Sequence, residues 1–300
     1  MSEKHSMRYR FLACFAVIIG ILSLFDILYQ WPSRFVAYFK LSQVYPFAFS
    51  AWVIAVAGVL FFTLHTLSRR MYLKGSSLSE IINLTWFMVP MANMTALLLG
   101  NPVLNMSITL YPDGALLILI FNGVLLGIGF TLFNLLSGVV FARLAHKTLS
   151  SIEMISFFGI LLGAVGLMVC AISDSAENIQ LMGLLSSTGS FYLFACLFWG
   201  VGFWIMGFIL ILCLHQLYKR ETPSRIEWEI FIFSLQVYTI ASQKIAAYFI
   251  SPLTTGYTTF LIVILTVLWL SIFVKTVHKV VFGKRLPGTP SQIGSNHSVK

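Results

Sequence analysis

Four polar side chains interrupt an otherwise apolar and aromatic stretch in the C-terminal third of the sequence. The stretch, WEIFIFSLQVYTIASQKIA, covers residues 228–246, and its polar members include Glu229, Gln236, Gln243 and Lys244. A charge at the centre of a membrane helix costs about 2.5–3.5 kcal/mol to insert, whereas each Leu, Ile or Phe returns only about 0.3–0.6 kcal/mol. These polar groups therefore need either water or polar protein beside them.

The spacing of these residues places the polar load on one side of a helix. At about 100° per residue, Glu229 and the two Gln residues lie within about 20° of one line. Phe233 and Lys244 flank that line on one side, and Thr239 flanks it on the other. The pattern therefore predicts one polar stripe along the helix.

Two interpretations of the stripe remain open. In the first, its side chains hydrogen-bond to neighbouring helices and anchor the helix ends. In the second, Phe233, Gln236, Thr239, Gln243 and Lys244 line a path for a solute, with Phe233 as an apolar constriction. A positive group near the outer end of such a path would favour anions.

A second candidate face lies in the stretch EIINLTWFMVPMANMTALLLG, residues 80–100. Asn83, Trp86, Pro90 and Asn93 fall on one face of a helix there, and Pro90 would free a backbone carbonyl in the middle of the membrane. Such a carbonyl is tolerated where protein or a water-filled cavity covers it. Pro90 and Asn93 are therefore candidates for the solute path, with a structural kink as the alternative.

Four histidines could suggest a haem or metal site. His65, His146, His215 and His278 each stand among basic residues where an even-numbered apolar span ends. Haem-binding pairs usually lie within the membrane on facing helices, whereas basic residues are favoured at helix ends near lipid headgroups. We therefore predict an interfacial belt, with no cofactor and no metal.

Catalytic groups are equally sparse. The ten acidic residues are scattered, and no apolar span carries paired carboxylates, an HExxH or DxxxD motif, or a Ser–His–Asp set. Only Asp26, Glu153 and Glu229 are expected near membrane depth. The pattern predicts that the protein is not an enzyme.

The hydrophobic composition of the chain predicts the membrane helices that position these residues. The chain is 58% hydrophobic and only 10% charged, whereas soluble domains average about 25% charged residues. Runs of about twenty apolar residues are long enough to cross a bilayer as helices. The sequence therefore predicts an all-α polytopic membrane protein with eight spans in four hairpins. The predicted spans are 11–30, 45–67, 80–99, 115–142, 152–172, 190–216, 228–250 and 257–278.

Glycines form stripes along two of these spans. One stripe is in the fourth span, and the other, made of Gly159, Gly163 and Gly166, is in the fifth. Small residues at such intervals let membrane helices approach closely, so both stripes predict helix packing. The members of the fourth-span stripe are Gly123, Gly127, Thr131, Asn134 and Gly138.

Charge predicts the orientation. With the N-terminus inside, all but three of the 19 Lys and Arg residues fall in cytoplasmic segments, the exceptions being Arg34, Lys40 and Lys244. The positive-inside rule then places both termini in the cytoplasm. We expect a cytoplasmic N-terminus at 1–10, a transmembrane domain at 11–279 and a disordered cytoplasmic tail at 280–300. The net charge of +9 is explained by anionic lipid and requires no nucleic acid.

The stretch WEIFIFSLQVYTIA resembles the penultimate helix of the tellurite-resistance/dicarboxylate transporter family, which includes TehA-type channels and slow-type anion channels. The family pattern there is Trp-Trp-x-Phe-x-Phe-Pro-Leu-Gly-x-Tyr-x-x-Ala. This sequence keeps Trp228, Phe231, Phe233, Leu235, Tyr238 and Ala241. It departs from the pattern at Glu229, Ser234 and Gln236. FWGVGFWIMGFILILCLHQLYKR, residues 198–220, is similar to the even-numbered helices of the family.

The resemblance implies a multi-pass protein of the cell membrane that moves small anionic solutes. It implies ten helices in five hairpins around a pore, which is one hairpin more than the eight spans found here. It also implies that Phe233, with Phe231 second, plugs the pore. A homo-oligomer fits the family, whose members are often trimers.

Three classes of function follow from these observations. The first is an anion, oxyanion or C4-dicarboxylate channel or carrier. The second is a non-catalytic membrane subunit of a larger complex, which eight helices with few buried polar groups would also fit. The third is a membrane-embedded enzyme or assembly factor, against which the sparse acidic residues argue.

Overall fold

In the computed structural model of the protein, the described residues are 41–71, 84–146, 151–219 and 225–282. They form seven α-helices, with a short 3₁₀ turn, Leu84–Phe87, directly before the second. The helices are α1 (Leu41–Met71), α2 (Met88–Leu110), α3 (Pro112–His146), α4 (Ser151–Leu181), α5 (Gly189–Lys219), α6 (Arg225–Tyr248) and α7 (Pro252–Phe282).

Each predicted span from the second to the eighth corresponds to one of these helices, so the all-α prediction is confirmed. The first predicted span, 11–30, and the predicted N-terminal segment lie outside the described residues. Most of the predicted tail also lies outside them. Helix α7 continues to Phe282, three residues into the segment assigned to that tail.

Two predicted boundaries are wrong. The third span was expected at 80–99, but α2 covers Met88–Leu110, so a single residue, Tyr111, separates it from α3. The fifth span was expected to end at 172, but α4 continues to Leu181. In both cases polar residues lower the local hydropathy, yet the helix continues because those side chains are buried against protein. They include Asn101 and Ser107 in α2, and Ser173 and Asn178 in α4.

The helices divide into an inner row and an outer layer. Helices α2, α4 and α6 form the inner row, with α4 packed between the other two. The outer helices lie against this row: α1 and α3 on α2, α5 on α4, and α7 on α6. Each of the three hairpins in the described part of the chain therefore joins one inner helix to one outer helix.

Burial separates the two layers. In α4, 89% of the most apolar segment is buried inside the protein, against 17% in α7 and 33% in α5. Within the described residues, the helices long and apolar enough to cross a membrane are α1, α3, α4, α5 and α7. Helices α2 and α6 are more polar, which is tolerated in a membrane where protein or a water-filled cavity covers the polar groups.

Candidate functional site

Helix α6 carries most of the predicted path residues, and it presents two different faces. Leu235, Tyr238 and Ala241 are fully buried, and Phe231 is nearly so. This face meets α4 and α5 and belongs to the main hydrophobic core. The sequence departed from the family pattern within this face, at Ser234, whose small side chain is buried against α4.

The second face of α6 is only half-buried. Phe233, Ile240 and Lys244 lie on it. Phe233 and Lys244 are eleven residues apart, which at about 100° per residue places them within about 20° of one line. The structure therefore puts the predicted constriction and the predicted positive group along one line of an inner helix.

The three glycines of α4 hold α6 close. A Cβ atom added at Gly159 would lie 3.7 Å from Cδ2 of Phe231, and one added at Gly163 would lie 3.1 Å from Cβ of Ser234. At Gly166 it would lie 2.9 Å from the backbone nitrogen of Tyr238. The packing predicted for this stripe is confirmed, and it brings the two inner helices into backbone contact.

A hydrogen-bonded group fixes the buried face of α6 against α5. The Tyr238 hydroxyl donates to the backbone carbonyl of Trp199 at 2.8 Å, and Nε1 of Trp199 donates to the Ser242 hydroxyl at 2.9 Å. Sequence reasoning missed this group as a unit. In the sequence, Tyr238 and Trp199 were visible only as aromatic residues within stretches that resemble the family.

Near the C-terminal end of α6, Lys244 forms an ion pair with Asp174 on α4. The Lys244 side chain is 29% exposed and that of Asp174 is 21% exposed. Asp174 was not among the acidic residues expected at membrane depth, and the structure places it in α4, which runs nine residues beyond its predicted end. The sequence did contain a sign of this, because Asp174 follows the apolar run of the fifth predicted span so closely that it could belong to the last turns of the same helix.

A second carboxylate stands beside this pair. Glu177 is exposed and accepts a hydrogen bond from the hydroxyl of Tyr192, at the start of α5. The Tyr192 ring is buried and stacks on Tyr248, with ring centroids 3.9 Å apart and planes 8° apart. The C-terminal ends of α4 and α6 and the N-terminal end of α5 are thus joined by one polar and aromatic cluster.

The remaining predicted residues of α6 are divided between its faces. Gln236 is half-buried and Gln243 is exposed, and both lie beside the line of Phe233 and Lys244. Thr239 is 3% exposed, and its hydroxyl donates to the Leu235 carbonyl of the same helix at 2.7 Å. The predicted stripe is therefore polar and accessible at the two Gln residues but buried at Thr239.

Pro90 lies in the first turn of α2 and not in the middle of the helix, so the structure does not show the kink that was the alternative for this residue. A first-turn residue has no intrahelical partner for its backbone N–H, so proline causes no kink there. The proline inside α2 is Pro102. A Cβ atom added at Gly129 of α3 would lie 3.3 Å from the Pro90 carbonyl oxygen, so this carbonyl faces an outer helix.

Asn93 is fully buried and joins α2 to α1. Its Nδ2 donates to the Thr63 hydroxyl and to the Val89 carbonyl, both at 2.9 Å. A comparable hydrogen bond lies nearer the C-terminal end of α2, where Nδ2 of Asn122 on α3 donates to Oδ1 of Asn101 at 3.2 Å. These asparagines connect inner to outer helices by hydrogen bonds.

Among the described residues, no group of three His, Cys, Asp or Glu side chains stands close enough together to hold a metal ion. His65 and His215 are exposed near the C-terminal ends of α1 and α5, and the interfacial belt stays a prediction. The absence of a cofactor stays a prediction.

Comparisons with known proteins point in one direction. A family model described as voltage-dependent anion channel matches residues 2–277. Two uncharacterised transporters of Methanocaldococcus jannaschii are each 25% identical to this chain, over 234 and 238 residues. These alignments cover 78% and 79% of the chain but 66% of each relative, so the chain spans about two thirds of their length. No solved structure matches the chain.

Proposed function

Since the chain belongs to the voltage-dependent anion channel family, we propose that it moves small anions across the cytoplasmic membrane along the half-buried face of α6. The observation that carries this proposal is the line formed by Phe233 and Lys244 on an inner helix. Helix α6 packs against α4, α5 and α7. Phe233, Ile240 and Lys244 are only partly buried in this packing, so a solute could meet α6 along their line.

Three features of that face suit an anion. Phe233 presents an apolar ring that blocks ions sterically and by dewetting. Gln236 and Gln243 offer amide N–H donors beside the same line. Lys244 places a positive group near the outer end of the helix. For Pro90 and Asn93 we propose the packing alternative, because their described contacts are with α3 and α1.

The expected partners of the protein, and the expectation that it is not an enzyme, follow from its membership of the anion channel family. The protein is a multi-pass membrane protein, and we propose lipid and a small anionic solute as its partners, with no nucleic acid. We infer that it is not an enzyme, because a channel or carrier needs no catalytic group. A homo-oligomer stays a prediction.

Substitution of Phe233 tests the proposed path. Phe233→Ala removes the ring from the constriction, so flux of chloride or malate into liposomes containing the full chain should rise above that of the wild type. Phe231→Ala is the matched control, because Phe231 is 4% exposed and packs on Gly159. It should cost about 3–5 kcal/mol of stability without any gain of flux.

Both measurements are normalised to folded protein in the liposomes. The proposed path fails if Phe233→Ala conducts no more anion than the wild type does. It also fails if Phe231→Ala raises flux as much as Phe233→Ala does, since Phe231 faces α4.

The proposed orientation, with both termini in the cytoplasm, is tested by labelling in intact cells. Ser186→Cys, in a background without native cysteines, places a thiol in the exposed turn between α4 and α5. It should react with an impermeant reagent added outside. Asn178→Cys is the control and should not react, because Asn178 is 4% exposed. If position 186 is labelled only after the cells are permeabilised, the orientation is opposite to the one proposed.

A further inference from the structure

The outer end of the proposed path is not simply basic. Lys244 is paired with Asp174, and Glu177 stands one turn further along the same face of α4. Tyr192 holds the Glu177 carboxylate by a hydrogen bond. The cluster therefore contains one ammonium and two carboxylates, so an approaching anion meets a net negative group of charges.

The Lys244 ammonium is therefore already occupied. Removing one partner of a partly buried ion pair leaves the other charge uncompensated, which is unfavourable in a medium of low dielectric. Any anion that binds Lys244 must either displace the Asp174 carboxylate or share the ammonium with it. Exchange of one anionic partner for another keeps Lys244 compensated, and the displaced Asp174 carboxylate, whose side chain is 21% exposed, must then be hydrated.

We propose that Asp174 is the resident counter-ion of Lys244, and that a transported anion binds at the outer end of α6 by displacing the Asp174 carboxylate. Residue 174 then sets the affinity of the path for anions. The inference rests on the proposed function, since it requires an anion to reach Lys244. A site that already holds a weak competitor binds the anion loosely, and conduction needs binding that is weak enough for release.

Neutralising the competitor tests the proposal. Asp174→Asn keeps the size of the side chain but removes its charge, so Lys244 becomes available to chloride. The chloride concentration that gives half-maximal flux should fall roughly two- to fivefold, the upper part of the range expected for loss of an exposed ion pair. Lys244→Gln should raise that concentration, and the double variant should resemble Lys244→Gln, because the competitor acts only through Lys244.

Glu177→Gln is the matched control. It removes the same charge from the same helix, but from a carboxylate that is bound to Tyr192 and not paired with Lys244. Its effect should be smaller than that of Asp174→Asn. Equal effects of the two variants would overturn the proposal in favour of general surface electrostatics. The proposal is also overturned if Asp174→Asn lowers the half-maximal chloride concentration as much in the Lys244→Gln background as in the wild type. It is overturned as well if Asp174→Asn does not lower that concentration at all.

If Asp174→Asn folds poorly, the proposal can still be tested by the thermal stability of proteins that keep Asp174. A bound anion stabilises the folded state by mass action. Chloride should therefore raise the melting temperature of the wild type above that in gluconate at the same ionic strength, and Lys244→Gln should lose this difference. Equal chloride stabilisation in both proteins would overturn the inference.

Failure of the inference and failure of the proposed function are distinguishable. If neither the wild type nor Phe233→Ala conducts chloride or malate, the proposed function fails. If the wild type conducts and Asp174→Asn has the same half-maximal chloride concentration, the function stands and Asp174 serves only to join α4 to α6.

Discussion

Helices α3 and α4 both carry small residues at intervals of about four, yet they use them differently. In α4, Gly163 and Gly166 lie against the backbone of α6. In α3, a Cβ atom added at Gly123, Gly127 or Gly138 would meet no atom of the described chain within 4 Å. The packing predicted for the α3 stripe is therefore not found within the described residues.

The difference follows from the layer in which each helix lies. The most apolar segment of α4 is 89% buried, whereas that of α3 is 28% buried. In α4 a missing side chain lets a neighbouring backbone approach, while in α3 it leaves a groove on an outward-facing surface. A small-residue stripe thus marks a helix that can pack closely, and the position of the helix decides whether it does.

The largest expected difference between the two helices concerns leucines. Leu162 of α4 is 0% exposed and Leu135 of α3 is 57% exposed. Leu162→Ala should lower the free energy of unfolding by about 2–5 kcal/mol, because it leaves a cavity in a packed core. Leu135→Ala should change it by no more than about 0.5 kcal/mol. Thermal unfolding in detergent measures both, and equal losses would contradict the division into layers.

A smaller effect is expected from adding a methyl group to each glycine stripe. Gly166→Ala forces the new Cβ against the backbone of α6, and such overpacking costs about 1–3 kcal/mol. Gly127→Ala adds the same atom where no described atom stands within 4 Å. It should leave stability unchanged or raise it by up to about 1 kcal/mol through helix propensity. Loss of stability in Gly127→Ala would show that another surface covers the α3 stripe.

The smallest effect concerns the hydrogen bond that joins inner to outer helices. Nδ2 of Asn93 donates to the Thr63 hydroxyl across the α2–α1 contact. A double-mutant cycle of Asn93→Leu and Thr63→Val should give a coupling energy of about 0.6 kcal/mol, the average for such bonds in membrane helices. Independent effects of the two substitutions would mean that this contact contributes packing alone.

Much of the helical architecture could be predicted from the sequence. The apolar runs predicted every described helix, because a bilayer demands about twenty apolar residues with internally satisfied backbone bonds. The boundaries of α2 and α4 were missed because their last turns are polar. Composition reports how apolar a segment is, but not whether protein will bury its polar groups.

The candidate site was only partly predictable. Phe233, Gln236, Gln243 and Lys244 follow from the period of one helix, so sequence alone could group them. Asp174 could not be assigned to Lys244 in this way, because the two residues are 70 positions apart and on different helices.

The sequence by itself determined that this is a helical membrane protein, which residues share a side of each helix, and which family it belongs to. The first two properties depend on local helical periodicity and on the apolar environment of the bilayer, and the third depends on similarity along the sequence. The tertiary structure decided which glycine stripe packs, that Pro90 lies in the first turn of a helix, and that Lys244 has Asp174 as its partner. Each of these depends on which helices become neighbours, and packing across the whole chain sets that arrangement.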